Sequence, residues 1–223
     1  LESFADWILA LDPYDHPIAF HTHWMSGVGP YADYDAVLGE SRFSMTSIQG
    51  KPADMGAHVE YWRSKSANAG HKWVIDIDEI SPAGTGLTDG NAVDLRKTTL
   101  WDVYFSGGQI EWYFGYHALP LGGDMRVEDF ATREEMWVYM RHARRFVEKK
   151  IPFAVMQPMD QLVSGESGSY GGAEVFAKPG SVYAVYYPKT SSTGTIDLTG
   201  APGNFRQRWY SPRLGLFVGP YAW

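Results

Sequence analysis

The segment KWVIDIDE ends in three carboxylates, Asp76, Asp78 and Glu79, and a Pro/Gly-rich loop follows at once. A carboxylate at the end of a strand is held on a rigid element and aimed at a common pocket. Such groups serve as nucleophile or as acid and base at a glycosidic carbon. Glu79 and Asp78, at the end of this strand, are therefore candidates for catalysis and for substrate binding. The alternative for Glu79 is capping of the following loop or pairing with Arg or Lys.

Polar side chains also stand at the ends of the neighbouring apolar segments, at His21, His23 and Gln49, and Glu111 lies at the start of the last segment. We predict that the first three hydrogen-bond a substrate, and that Glu111 contacts the substrate or takes part in catalysis. Purely structural roles remain the alternative for each. The two histidines could also bind a metal, but no HExxH motif and no accompanying carboxylate set supports one. The sequence therefore predicts neither a metal nor a cofactor.

Aromatic residues make up 15% of the chain, a high share that would suit stacking against pyranose rings. The candidates next to the polar strand ends are Trp24, Trp112, Tyr113 and Tyr116. A large core also needs aromatic side chains. Core packing is the stronger alternative for Trp112.

These groups need a scaffold that brings several strand ends together, and the first part of the chain alternates strand and helix patterns. Predicted strands cover 18–23, 43–48, 73–79 and 110–114, and predicted helices cover 56–69, 95–105 and 133–150. Thr132 and Glu135 form a capping-box pattern at the start of the last helix. Strand–helix alternation of this kind indicates βαβ units and a parallel sheet. Four polar strand ends in succession fit an α/β barrel, where catalytic groups collect at one end.

The direction of the Glu79 side chain depends on strand register. Trp73, Ile75, Ile77 and Glu79 share one face of an ideal strand, and Asp76 and Asp78 lie on the other. If the aliphatic face lines the barrel, Glu79 points into its mouth and Asp76 needs a buried partner. A slip of one residue would reverse this arrangement.

The chain after about residue 163 alternates apolar and polar residues between turn signals and contains only β patterns. The run VSGESGSYGG marks the change. We predict an α/β domain over 1–163 and a small antiparallel, β-sandwich-like domain over 164–223, which could be incomplete.

Several segments together resemble a family of (β/α)8-barrel glycoside hydrolases, the apiosidase-like barrels and their relatives. They are DPYDHPIAFHTH, WVIDIDEISPAGTGLTDG, LWDVYFSGGQIEWYFGYH and EDFATREEMW. The later segments KPGSVYAVYYPKTSSTGTIDL and FRQRWYSPRLG resemble the trailing domain of that family, often labelled a collagen-binding domain of a collagenase.

This resemblance implies that the four strands are strands five to eight of a TIM-type barrel. Glu79 then occupies the position of the nucleophile at the end of strand seven, in a retaining mechanism. The acid/base that follows strand four would come from outside this chain, in a missing N-terminal half-barrel or a second copy of the chain. The resemblance further implies a plant or algal polysaccharide as substrate and a secreted or periplasmic location.

Bulk composition excludes several other classes of partner. The net charge of −7 makes the chain a poor binder of nucleic-acid phosphates. No apolar run reaches the roughly 18–20 residues of a membrane span, so no membrane partner is expected. The first 17 residues lack the basic start and cleavage site of a signal peptide. A non-catalytic protein that binds carbohydrate or extracellular matrix remains the alternative to a hydrolase.

Overall fold

The computed structural model describes residues 1–80, 87–112, 133–167, 172–189 and 193–222. Within them the chain is a mixed α/β protein with one four-stranded parallel sheet and three small antiparallel sheets. The strands of the parallel sheet are β1 Ile18–His21, β2 Phe43–Gly50, β3 Asp76–Ile80 and β4 Gln109–Ile110. They lie in the order of the chain, each paired in parallel with the next.

Helices precede and connect these strands. They are α1 Glu2–Leu11, α2 Ala32–Asp35, α3 Met55–Asn68, α4 Asp89–Leu95, α5 Trp101–Phe105 and α6 Glu134–Lys149. A π-helical stretch, Arg96–Leu100, joins α4 to α5 into one continuous helical segment. Among the described helices, none is both long and apolar enough to cross a bilayer.

The aliphatic face of β3 packs against helices. Ile75 and Ile77 are buried, and the Trp73 ring stacks on Trp62 of α3 at 6.3 Å between centroids. In the described residues the opposite face carries Asp76 and Asp78, and the Asp78 side chain is 28% exposed there. The register question is therefore decided: the aliphatic residues face the helices, and the open face is polar.

The predicted elements are present with shifted ends. The first strand stops at His21 rather than at residue 23, and the second continues to Gly50. The third begins at Asp76, because its earlier residues make only an isolated bridge between Val74 and Met45. The last strand is only two residues long, Gln109–Ile110, and residue 114 lies outside the described residues.

The helix predicted over 95–105 begins earlier, since α4 opens at Asp89 with a capping box between Thr88 and Asn91. The capping box predicted for α6 involves Thr132, which lies outside the described residues. Its second member, Glu135, accepts a hydrogen bond from the Tyr139 hydroxyl at 2.5 Å. The α6 amide of Met136 instead donates to Asp89 Oδ1 at 3.1 Å, so α4 satisfies the start of α6.

The last third of the chain forms short antiparallel pairings. Its strands are β5 Gln157–Pro158, β6 Val163–Ser167, β7 Glu174–Lys178, β8 Val182–Tyr186, β9 Thr193–Ile196, β10 Gln207–Ser211 and β11 Leu216–Ala222. They pair as β5-β7-β8, β6-β9 and β10-β11. The segment SPRLG forms the turn between β10 and β11, where the Gly215 amide donates to the Ser211 carbonyl at 2.8 Å.

These sheets pack directly on the helices of the first part. Tyr186 of β8 stacks on Trp101 at 5.5 Å, and Tyr210 of β10 lies 4.6 Å from Phe146 of α6, both between ring centroids. One hydrophobic cluster includes residues from both parts, and a second, smaller one lies around Val175 within the β part. The division at residue 163 stays a prediction.

Candidate functional site

Four side chains from three adjacent parallel strands form a cluster toward the carboxyl ends of β1 to β3, in which Ser47, Asp78 and Glu79 all lie close to the His21 ring. His21 Nδ1 lies 2.7 Å from Ser47 Oγ and 3.3 Å from Asp78 Oδ2. The Ser47 hydroxyl donates to that same Asp78 oxygen. On the other side of the ring, His21 Nε2 lies 3.7 Å from Glu79 Oε2. The imidazole is thus held between two carboxylates that are consecutive in sequence.

A bulge makes this double contact possible. In the pairing of β2 with β3, Ile48 lies opposite Ile77, but the next residue, Gln49, lies opposite Glu79. Asp78 is the extra residue, without a register partner on β2. Neighbouring residues of a regular strand point to opposite faces, so Asp78 and Glu79 could not both reach one ring without such an irregularity. The predicted nucleophile therefore reaches the site through a bulge.

Asp76 lies one step deeper on the polar face and is only 5% exposed. Its backbone amide donates to Thr46 Oγ1 at 3.1 Å. Burial, with the nearby carboxylates of Glu111 and Asp78, raises the pKa of Asp76 to about 7. Asp76 is thus a buried carboxyl near its own titration point at neutral pH, just below the candidate site.

Tyr34 of α2 fixes the strand segments that carry His21 and Ser47. Its hydroxyl contacts the carbonyls of Phe20 and Ser47 at 3.0 and 3.1 Å, and the Ser47 amide donates to it at 3.1 Å. The residue is completely buried, and burial raises the pKa of its hydroxyl. This side chain clamps β1 to β2 just behind the polar face.

The other predicted binding residues of the first two strand ends lie at the rim. Gln49 is half-buried opposite Glu79, and its side-chain amide makes no hydrogen bond within the described residues. His23 and Trp24 follow the end of β1 and are exposed, and the His23 amide donates to the Tyr31 hydroxyl at 3.2 Å. All three are accessible to a ligand.

The predicted residues of the fourth strand end divide into two groups. Glu111 is exposed on the polar face, where its charge acts on Asp76. Trp112 is buried and donates its indole N–H to the Met136 carbonyl at 3.2 Å, which is the packing role left open for it. Tyr113 and Tyr116 lie outside the described residues.

Sequence patterns alone missed Ser47, which contacts both His21 and Asp78. Alternation within FSMTSIQG already places Ser47 on one face with Gln49. Because Gln49 was already a predicted binding residue, this shared face could have marked Ser47 as a candidate as well. The role of Tyr34 had no comparable signal in the sequence, because Tyr34 lies on a helix 14 and 13 positions from the residues that its hydroxyl contacts, Phe20 and Ser47.

A cleft of about 630 Å³ lies away from this cluster, between α3 and the 157–161 segment, and Glu60, Arg63, Lys72 and Asp160 are among its lining residues. None of the predicted site residues lines it. In the described part of the chain, no three His, Asp or Glu side chains converge in a way that would hold a metal ion. Among the described residues, the His21 cluster lies on an open sheet face, where the His21 side chain is 50% exposed.

Comparison of the chain with protein-family models, curated proteins and solved structures gives no match. The function must therefore be argued from the residues of the site.

Proposed function

We propose that the protein is a glycoside hydrolase, or the C-terminal portion of one, that cleaves a plant or algal poly- or oligosaccharide. The observation that carries this proposal is the convergence of Glu79, Asp78 and His21 at the carboxyl ends of adjacent parallel strands. In this proposal Glu79 is the nucleophile of a retaining reaction. Its side chain is 20% exposed, enough for contact with a ligand while remaining on a rigid strand.

The neighbouring groups have roles that follow from their contacts. Asp78 accepts the Ser47 hydroxyl and so is engaged within the protein. His23, Trp24, Gln49 and Glu111 surround the open face and supply hydrogen bonds and one aromatic surface for a sugar. A secreted or periplasmic location belongs to the same proposal and rests on the family resemblance alone.

The acid/base and the first half of the barrel would come from another segment. Parallel sheets are normally covered on both faces, yet the polar face of this sheet is open in the described residues. β1 and β4 are its terminal strands. Helix α1 also exposes an apolar stripe spaced for one helical face, formed by Leu1, Phe4, Trp7 and Leu11. A further set of βα units, or a second copy of the chain, would cover all three features.

A non-catalytic carbohydrate- or matrix-binding protein is the second candidate. The β10–β11 hairpin favours it, because Trp209 is 57% exposed and Tyr221 is 50% exposed. The Arg208 guanidinium lies over the Tyr221 ring at 4.6 Å from its centroid. Aromatic rings and arginines on a solvent-facing hairpin would suit ligand contact without chemistry.

The test is hydrolysis of plant and algal polysaccharides by the wild type and by Glu79→Gln. The assembly is first defined by intact mass spectrometry with light scattering, and any co-purifying polypeptide is retained. We expect release of reducing ends by the wild type, and a loss of at least about 10³-fold in kcat for the variant. Glu134→Gln, an exposed change on α6, serves as the matched control and should keep full activity.

Two results would count against hydrolysis. Equal rates for wild type and Glu79→Gln would remove Glu79 as nucleophile. Tight binding of a polysaccharide without any release of reducing ends, by an assembly that contains every co-purifying chain, would favour the binding protein.

A further inference from the structure

The contacts of His21 define which of its nitrogens carries a proton. Nδ1 faces Ser47 Oγ at 2.7 Å and Asp78 Oδ2 at 3.3 Å. The Ser47 hydroxyl has one hydrogen and donates it to Asp78, so Ser47 Oγ can only accept from the ring. Both neighbours of Nδ1 are therefore acceptors, and Nδ1 must be the nitrogen that bears hydrogen in neutral His21.

The other ring nitrogen then faces the predicted nucleophile as a base. With Nδ1 protonated, neutral His21 presents the Nε2 lone pair toward Glu79 Oε2, 3.7 Å away. A single proton can sit on Nε2 or on the Glu79 carboxyl. Asp78 faces the pair through Ser47, while Asp76 and Glu111 lie farther along the same face.

We propose that His21, fixed as its Nδ1–H tautomer by Ser47 and Asp78, is the positioning residue that removes the proton from Glu79. This inference rests on the proposed function. Nε2 then holds the proton that the Glu79 carboxyl would otherwise carry, which leaves a carboxylate and an imidazolium 3.7 Å apart, an ion-pair distance rather than a hydrogen bond. Asp78 stabilises that imidazolium through the Ser47 hydroxyl, the logic by which an acid orients a histidine in hydrolytic triads.

The decisive measurement is the tautomer of His21, read by ¹⁵N NMR of the imidazole in the full chain above the pH at which the ring is charged. His21→Asn identifies the signal by its loss. We expect an Nδ1–H tautomer in the wild type and in Ser47→Thr, which keeps the hydroxyl. Ser47→Ala removes it and should move a large fraction of the ring to the Nε2–H form. His23, which is exposed, is the internal reference and should not change.

The readouts separate this inference from the proposed function. Two results overturn the role of His21 whether or not the protein hydrolyses sugars. One is an Nε2–H tautomer in the wild type, and the other is a tautomer that is the same in Ser47→Ala as in the wild type. If the expected tautomers are found but no hydrolysis is detected, the proton assignment on His21 stands and the hydrolase proposal is wrong. If hydrolysis is found, Ser47→Ala should lower kcat about 10-fold with little change in KM, and Ser47→Thr should restore it. An unchanged kcat with an altered tautomer would contradict the role in catalysis.

Discussion

At the scale of single residues, the site is built on a row of acids that share one sheet face. Asp76 is the most buried of the three, Asp78 is hydrogen-bonded to Ser47, and Glu79 lies at the strand end with its side chain 20% exposed. Like charges so close together disfavour the ionised form of the most buried member. Burial, together with the charges of Glu111 and Asp78, therefore raises the pKa of Asp76 to about 7. The acids therefore have different roles although they stand in one five-residue stretch.

The free energy of unfolding should fall less with rising pH in Asp76→Asn than in the wild type. A carboxyl whose pKa is higher in the folded chain, about 7, than in the unfolded chain binds its proton more tightly when folded. The free energy of unfolding therefore falls as pH rises from about 4 to about 7, by on the order of 2–4 kcal/mol for this group. Urea unfolding at pH 5 and pH 8 measures the difference.

The matched control for this experiment is Asp94→Asn, an exposed change on α4. It should leave the pH dependence as in the wild type. Asp102, whose pKa burial and the carboxylates of Glu60 and Asp160 raise to about 7, contributes in the same direction. The free energy of unfolding of Asp76→Asn is therefore expected to keep some dependence on pH. If that dependence is the same as in the wild type, Asp76 does not titrate as described.

At the scale of elements, the sheet and its helices approach closely at glycines. The backbone of α3 at Gly56 lies against the Asp102 side chain of α5, so that a Cβ at Gly56 would stand 1.9 Å from Asp102 Oδ1. At Gly108, just before β4, a Cβ would stand 2.6 Å from the side chain of Val59. These two positions let α3 lie close to α5 and to the start of the last strand.

Gly56→Ala should destabilise the protein by about 1–3 kcal/mol, because the added methyl group forces Asp102 or α3 to move. Chemical denaturation at fixed pH measures this change. Gly90→Ala in α4 is the matched control, since a Cβ there would meet only Thr88 Oγ1 at 3.5 Å. It should stabilise by about 0.5–1 kcal/mol through better helix propensity. Equal effects of the two changes would contradict the close contact at Gly56.

At the scale of the whole molecule, aromatic side chains join the β sheets to the helices. Tyr186 stacks on Trp101 and donates its hydroxyl to the Arg96 carbonyl at 3.1 Å. Tyr210 reaches α6, where its hydroxyl donates to the His142 carbonyl at 3.2 Å. Because these contacts belong to one hydrophobic cluster with the parallel sheet, we expect the two parts to unfold together.

Tyr186→Ala should lower stability by about 3–5 kcal/mol and still give a single unfolding transition. Tyr186→Phe keeps the ring and loses only the hydrogen bond to Arg96, so its cost should be about 1 kcal/mol. Thermal unfolding followed by near- and far-ultraviolet circular dichroism measures both. Two separate transitions in the wild type would show instead that the β part is an independent domain.

Apart from the short helix α2, sequence patterns predicted the strands and helices of the first part, the parallel arrangement of its four strands and the β character of the last third. These depend on local periodicity and turn residues, which a chain carries in its own pattern. The sequence also indicated the acids at 76–79 and the polar residues at the ends of the other strands. The element ends shifted by a few residues, because pairing with a neighbouring strand decides where a strand stops.

Only the tertiary structure decided which face of the sheet is open and which side chains meet. Strict alternation would have placed Asp78 and Glu79 on opposite faces, and the bulge opposite Gln49 brings both to His21. Ser47 joins them through a register that links residues 31 positions apart. Such contacts are set by pairing and packing between distant segments, and no local pattern in the chain encodes them.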